Sequence, residues 1–179
     1  MYIFLLTFLF FAVLTAFNTL PFHHPFNRVS LQCSAPGCEY ILQQAMNILY
    51  VHQHDYRLLV LDNHSPNSLT FNNNPGGQAR TIFAIDQESQ EIRHFRTEIS
   101  IYGMTYPTLL NTLTHELLHA VYLLDHSNQI GSIMNYSIIL DIYGHIENDV
   151  SIKHLSFDDY DGILYKLNED LGSMYYPHL

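Results

Sequence analysis

The chain has 179 residues, of which 47% are hydrophobic, so it is long enough and apolar enough for one folded domain with its own core. It carries 7 Lys and Arg against 17 Asp and Glu, a formal net charge of -10, and no cluster of basic residues. This balance argues against nucleic acid as a partner, because surfaces that bind nucleic acid are basic.

An almost wholly apolar segment, residues 1–17, opens the chain. Its length suits the core of a signal peptide better than a full bilayer span, which takes about 20 residues. A signal peptide over 1–20 and an uncleaved membrane anchor both stay open, because no basic residue precedes the apolar run and bulky Leu14 stands where a small residue favours cleavage. Either interpretation places the protein outside the cytosol, secreted or associated with a membrane. We predict a tether over 21–30 and one domain over 31–179.

The two cysteines, Cys33 and Cys38, are separated by Ser-Ala-Pro-Gly, a turn-forming sequence that can bring their side chains together. A local disulfide is the favoured interpretation, since the compartment outside the cytosol is oxidising. The alternatives are two free thiols, or a Cys33 thiolate that binds a metal ion and blocks it.

Hydrophobic patterns predict a helix and several strands in the first half of the domain. The helix follows from helical spacing of apolar residues after Cys38, at Ile41, Leu42, Ala45, Met46 and Leu49. Strands are predicted over 56–61, 79–85 and 95–102, and an exposed loop over 63–77, which is rich in Asn, Pro, Ser and Gly. With the helix described next, this order predicts an α+β fold.

The segment 114–119, Thr-His-Glu-Leu-Leu-His, is the most informative in the chain. Pro107 can occupy the first turn of a helix whose leucines recur at spacings of three and four. His115 and His119 then project from one face and can bind one zinc ion. Glu116 flanks that ion and can take a proton from a water molecule and return it, as amide hydrolysis requires. The alternative is a core helix with two incidental histidines.

Residues 115–127, His-Glu-Leu-Leu-His-Ala-Val-Tyr-Leu-Leu-Asp-His-Ser, resemble the metzincin pattern of zinc endopeptidases, and the matrixin branch most closely. The resemblance implies an α+β domain in which a twisted mixed sheet packs on helices, with an active-site helix, a Met-turn and a C-terminal helix. The chain departs from the pattern in two ways. Tyr122 stands where the family has a glycine, and one extra residue puts Asp125, not His126, at the family spacing of the third ligand.

The resemblance therefore implies two alternative third ligands. Asp125 keeps the spacing, and a carboxylate can bind zinc at about 2.0–2.2 Å. His126 keeps the Leu-Asp-His-Ser context and is favoured; Asp125 would then support the turn. In this case we expect the extra residue to make a wider turn that no longer needs a left-handed glycine. An ordinary helix exit in which neither residue binds would leave two protein ligands.

Two further segments carry the resemblance. Residues 132–136 resemble the Met-turn, in which a methionine, here Met134, lies beneath the zinc. Tyr136 matches the astacin and serralysin form of this turn, whose tyrosine touches zinc or hydrogen-bonds the oxyanion; a packed core tyrosine is the alternative. Residues 155–165 resemble the start of the matrixin C-terminal helix, where Ser156 predicts an N-cap. The resemblance implies supporting roles for three acidic residues there, Asp158, Asp159 and Asp161.

Together these features predict a zinc-dependent endopeptidase with one catalytic Zn²⁺, Glu116 as its base, and a protein or peptide substrate lying beside an exposed sheet edge at 79–85. A rival interpretation is a catalytically inactive metzincin-fold adhesion or interaction protein at a membrane surface. Another is a gluzincin-like enzyme whose third ligand is Asp141 or Glu147. Further structural Zn²⁺ or Ca²⁺ sites, the identity of the substrate and the oligomeric state do not follow from the sequence.

Overall fold

The computed structural model describes residues 19–25, 28–50, 58–75, 79–127, 132–135 and 154–175. Its architecture is α+β, with a five-stranded mixed sheet and three helices in these ranges. The strands are β1 (Arg28–Cys33), β2 (Leu58–Leu61), β3 (Ser68–Asn72), β4 (Arg80–Ile85) and β5 (Ile92–Ser100). The helices are α1 (Cys38–Tyr50), α2 (Tyr106–Tyr122) and α3 (Phe157–Tyr175). The predicted leader lies outside the described residues up to position 18, and none of the described helices is both long and apolar enough to cross a membrane.

The strands lie in the order β2-β1-β3-β5-β4. All neighbours are parallel except β4, which runs antiparallel to β5. The parallel pair β1 and β2 needs a crossover, which α1 supplies, whereas a short turn suffices between β4 and β5. As a result β4 lies at the edge of the sheet, and its outer side has no strand partner among the described residues.

The hydrophobic core lies between the sheet and the two helices α1 and α2. Phe95 and Ile99 of β5 are fully buried there, and Leu113 and Leu117 present the apolar face of α2. Burial of each such side chain stabilises the folded state by roughly 1.5–3 kcal/mol, because its apolar surface is removed from water. This packing fixes α2 against the sheet and so determines where its polar residues lie.

The prediction of an exposed loop over 63–77 is wrong for β3. This strand pairs with β1 on one side and β5 on the other, so its backbone groups are satisfied by two neighbours. Leu69 is its only buried residue, while Ser68, Thr70 and Asn72 are polar. A polar strand is stable here because of its central position in the sheet, which local composition does not reveal.

Within the range predicted as a tether, 21–30, strand β1 begins at Arg28. The preceding residues contact the end of α2: the N–H of Leu20 donates to the carbonyl of Leu123 (2.7 Å), and Nε2 of buried His24 lies 2.8 Å from the carbonyl of Ala120. Lys166 of α3 donates to the carbonyl of Leu20 at 3.2 Å. The 19–25 segment therefore links the end of α2 to α3.

Cys33 and Cys38 form a disulfide between the end of β1 and the start of α1, with their Cα atoms 6.2 Å apart. This is the pairing that the sequence favours. Cys33 thus offers no thiolate to a metal ion.

Candidate metal centre

Helix α2 carries the predicted metal-binding residues and has defined signals at both ends. At its start the Thr105 side chain accepts a hydrogen bond from the N–H of Thr108, and Pro107 occupies the first turn. At its end Leu123 is left-handed, with φ 56° and ψ 31°, and its N–H bonds to the carbonyls of His119 and Leu118. These contacts turn the chain away from the helix axis at Leu123, about one helical turn after His119.

As expected, the turn uses no left-handed glycine, but it still contains one left-handed residue, Leu123. Leu123 takes the conformation one position after Tyr122, which stands at the place of the family glycine. The left-handed conformation costs a non-glycine residue about 1–2 kcal/mol. Burial of the leucine side chain, which is fully enclosed, offsets this cost with roughly 1.5–3 kcal/mol.

The turn brings three imidazoles together. The Nε2 atoms of His115 and His119 lie 3.0 Å apart, and those of His119 and His126 lie 3.3 Å apart. Ligand nitrogens on a tetrahedral zinc, with Zn–N of about 2.0–2.1 Å, are separated by about 3.3–3.4 Å. The three histidines are thus within metal-binding distance and form a candidate zinc site.

The other nitrogen of each imidazole faces an oxygen atom. Nδ1 of His115 lies 2.8 Å from the carbonyl of Ile133, and Nδ1 of His119 lies 2.6 Å from that of Leu124. A carbonyl only accepts, so both Nδ1 atoms carry the proton and both Nε2 atoms keep a lone pair for a metal. Such hydrogen bonds also fix the ring orientation.

Asp125 lies on the Nδ1 side of His126, with Oδ1 3.4 Å from that nitrogen. The same oxygen accepts the N–H of His126 at 2.7 Å. Among the described residues the convergent donor group consists of His115, His119 and His126, without Asp125. The carboxylate is therefore placed to orient the imidazole of His126 through Nδ1, which leaves Nε2 directed toward the other two histidines.

Burial lowers the pKa of all three histidines, and it lowers that of His119 to about 4, with the charge of His115 as the second cause. An imidazole buried among other imidazoles pays a large desolvation cost when it is charged. All three rings are therefore neutral at pH 7, the form that binds a metal.

We expect the metal-free protein to lose stability as the pH falls from about 6.5 to about 4. In this window His119 binds a proton in the unfolded chain but not in the folded chain. The free energy of unfolding therefore rises with pH, and it reaches its full value above the pKa that His119 has in the unfolded chain. The loss at His119 alone is about 3 kcal/mol. Urea unfolding at several pH values, with chelator present, measures it; a profile equally steep in His119→Gln would contradict this origin.

Glu116 lies beside the histidines on α2 and is 4% exposed. Burial raises the pKa of its carboxyl group, and a hydrogen bond from Thr81 partly opposes this effect. The hydroxyl of Thr81, on edge strand β4, donates to Oε2 of Glu116 at 2.7 Å. A buried carboxylate with a raised pKa next to a metal site has the character of a general base.

A cavity of about 270 Å³ adjoins Glu116. It is lined by Ala79, Asn111, Thr112, His115, Glu116 and Ile133. Pockets for whole drug-sized molecules hold roughly 300–1,000 Å³, so this cavity suits a single side chain of a larger ligand.

The turn at 132–135 contacts His115 through the carbonyl of Ile133 and is held by Asp159 of α3. Met134 is 1% exposed, in the place where the family resemblance puts a methionine. The carboxylate of Asp159 accepts the N–H of Ile133 (3.1 Å) and the hydroxyl of Ser132. It also accepts the N–H of Ser156, whose own hydroxyl receives the N–H of Asp159 at 3.2 Å; this reciprocal pair confirms the predicted N-cap.

Asp158 and Asp161, the two other residues of α3 that the resemblance gives a supporting role, differ from Asp159. Asp158 accepts the hydroxyl of Ser127, the residue after His126, and so ties the third histidine's loop to α3. Asp161 is exposed and has no hydrogen bond to the site in the described part of the chain. Tyr136 and the alternative ligands Asp141 and Glu147 lie outside the described residues.

We expect Asp159→Ala to lower the free energy of unfolding by about 3 kcal/mol, because it leaves the buried N–H of Ile133 and the hydroxyl of Ser132 without their acceptor. Asp161→Ala, two residues further along the same helix at an exposed position, is the matched control and should change it by less than about 0.5 kcal/mol. Urea unfolding of both variants, free of metal, measures the difference. Equal stability of the two would contradict a bracing role for Asp159.

Comparison with known proteins adds no assignment: no protein-family model matches the chain, and no curated protein is significantly similar to it. The mixed sheet, the helices and the three-histidine cluster are compatible with a metzincin fold.

Proposed function

We propose that the protein is a zinc-dependent endopeptidase that hydrolyses peptide bonds of proteins outside the cytosol. The observation that carries this proposal is the convergence of three imidazole Nε2 atoms beside a buried carboxylate, Glu116. A structural zinc site has four protein ligands and no use for a base, whereas a hydrolytic site has three ligands, an open position and a base.

The histidines fit zinc by their chemistry. Neutral imidazoles are preferred zinc ligands, and the described cluster offers three of them, His115, His119 and His126. Zinc held there would supply a Lewis acid that lowers the pKa of water toward about 7 and polarises a carbonyl group.

Glu116 performs the proton transfers in this proposal. Its carboxylate takes the proton of the attacking water and donates it to the amine that leaves when the peptide bond breaks. The raised pKa brings the carboxyl group closer to the pH at which it must both accept and release a proton. Tyr136 is proposed from the family resemblance alone as a hydrogen-bond donor to the oxyanion.

The sheet edge supports a peptide as substrate. In the part of the chain that the structure describes, no strand pairs with the outer side of β4, and Thr81 of this strand contacts Glu116 of α2. An extended peptide can add to such an edge by backbone hydrogen bonds. One of its side chains would then enter the cavity bounded by Ala79 and Thr112.

The direct test is cleavage of a peptide library by the purified full chain, read by mass spectrometry. We expect cleavage that a chelator abolishes and added zinc restores. Zinc uptake without cleavage of any peptide would overturn the proposal and favour the inactive interaction protein, which the departure from the family pattern at Tyr122 also suggests.

A further inference from the structure

We propose that Thr81 is a positioning residue that holds the Glu116 carboxylate through its Oε2 atom; the inference rests on the proposed function of Glu116 as the base. Thr81 lies on edge strand β4 and Glu116 on α2, 35 residues away in sequence. Their 2.7 Å hydrogen bond joins the helix of the metal site to the strand that we propose to bind substrate. Nothing in the local sequence around either residue indicates this contact.

The direction of the hydrogen bonds follows from their chemistry. Thr81 Oγ1 lies 2.7 Å from Glu116 Oε2 and 3.0 Å from Oγ1 of Thr97, its cross-strand partner on β5. A hydroxyl has one proton to donate, and an ionised carboxylate can only accept. The Thr81 proton therefore goes to Glu116, and Thr97 donates to Thr81. We name this chain, Thr97 to Thr81 to Glu116, the hydroxyl relay.

The hydroxyl relay rests on a rigid part of the fold. Thr97 is 1% exposed in the middle of β5, where a buried hydroxyl needs a partner. Thr81 and Thr97 are directly opposite each other in the antiparallel ladder, so the backbone fixes their separation. Consecutive hydrogen bonds of the same direction also polarise and strengthen one another.

As a consequence, the two carboxylate oxygens of Glu116 have different roles. Oε2 is occupied by Thr81, and within the described ranges no hydrogen bond reaches Oε1. Oε1 is thus the oxygen left to accept and release the proton of water. Without the relay the carboxylate can rotate about its side-chain bonds, and a displacement of about 1 Å at a reacting group costs up to about a hundredfold in rate.

The test compares Thr81→Val, which keeps the shape and removes the hydroxyl, with Thr81→Ser, which keeps the hydroxyl. We expect Thr81→Val to lower kcat between about tenfold and a hundredfold with little change in KM, and Thr81→Ser to restore most of it. Thr70→Val is the matched control: the Thr70 hydroxyl, on β3, donates to the backbone carbonyl of Thr97 at 3.4 Å and not to the hydroxyls of the relay, so this variant should retain the parent kcat. An unchanged kcat in Thr81→Val, or an equal loss in Thr81→Ser, would overturn the inference.

A second measurement does not depend on activity. Crystal structures of the zinc-loaded parent and of Thr81→Val should show the Glu116 carboxylate in one position in the parent and in another, or in several, in the variant. An unmoved carboxylate would overturn the inference. A parent chain that cleaves no peptide would refute the proposed function, and the crystal structures would still decide whether Thr81 orients Glu116.

Discussion

Glu116→Gln is expected to retain zinc and to lower peptide hydrolysis by at least about a hundredfold, the lower end of what a general acid-base group contributes. The amide has nearly the shape of the carboxylate and can still accept the hydrogen bond from Thr81 through its oxygen. It cannot take a proton from water. Because the neutral amide also avoids burial of a charge at this 4% exposed position, we expect no loss of stability.

The matched control is Glu88→Gln, the same chemical change at an exposed position in the turn between β4 and β5. It should leave both kcat and zinc content unchanged. Steady-state kinetics and metal analysis on the same preparations provide the comparison. Near-normal hydrolysis by Glu116→Gln with zinc bound would show that the base is another group.

His126→Ala is expected to weaken zinc binding more than Asp125→Ala does. The first substitution leaves two imidazoles of the convergent three. The second removes a carboxylate that contacts His126 at Nδ1, and loss of such an outer partner weakens metal binding about 10–100-fold. Competition with a chromophoric chelator gives both affinities, and hydrolysis should be lost in His126→Ala even at high zinc.

The reverse order of the two affinities would identify Asp125 as the third ligand. The side chain of Asp125 would then have to turn from the Nδ1 side of His126 toward the other two histidines. Ser127→Ala, which removes the hydrogen bond to Asp158 next to this loop, tests whether the loop is held. If this bond holds the loop in place, Ser127→Ala should bind zinc more weakly than the parent protein does.

The local part of the site could be predicted from the sequence, because helical geometry fixes it. His115 and His119 are four residues apart on one helix, so their common face follows from spacing alone. The path after the helix is different. Whether Asp125 or His126 reaches the cluster depends on where the left-handed residue falls, and Leu123, a residue type that rarely takes this conformation, gives no such signal in the sequence.

Contacts between distant segments account for the rest of what the sequence did not predict. Strand β3 is polar and is stabilised by its two neighbouring strands. Leu20 donates a backbone hydrogen bond to Leu123, a residue far away in sequence. The bond between Thr81 and Glu116 likewise needs β4 to pack against α2. Hydrophobic periodicity predicts which elements form, but it does not specify which polar side chains meet when these elements pack.

The most direct test of the central claim is the metal content and coordination of the purified full chain, by elemental analysis and X-ray absorption spectroscopy. We predict one zinc per chain, bound by three imidazole nitrogens and at least one oxygen that does not belong to the protein. A folded chain that takes up no transition metal, or that surrounds zinc with four of its own donor atoms, would contradict the account.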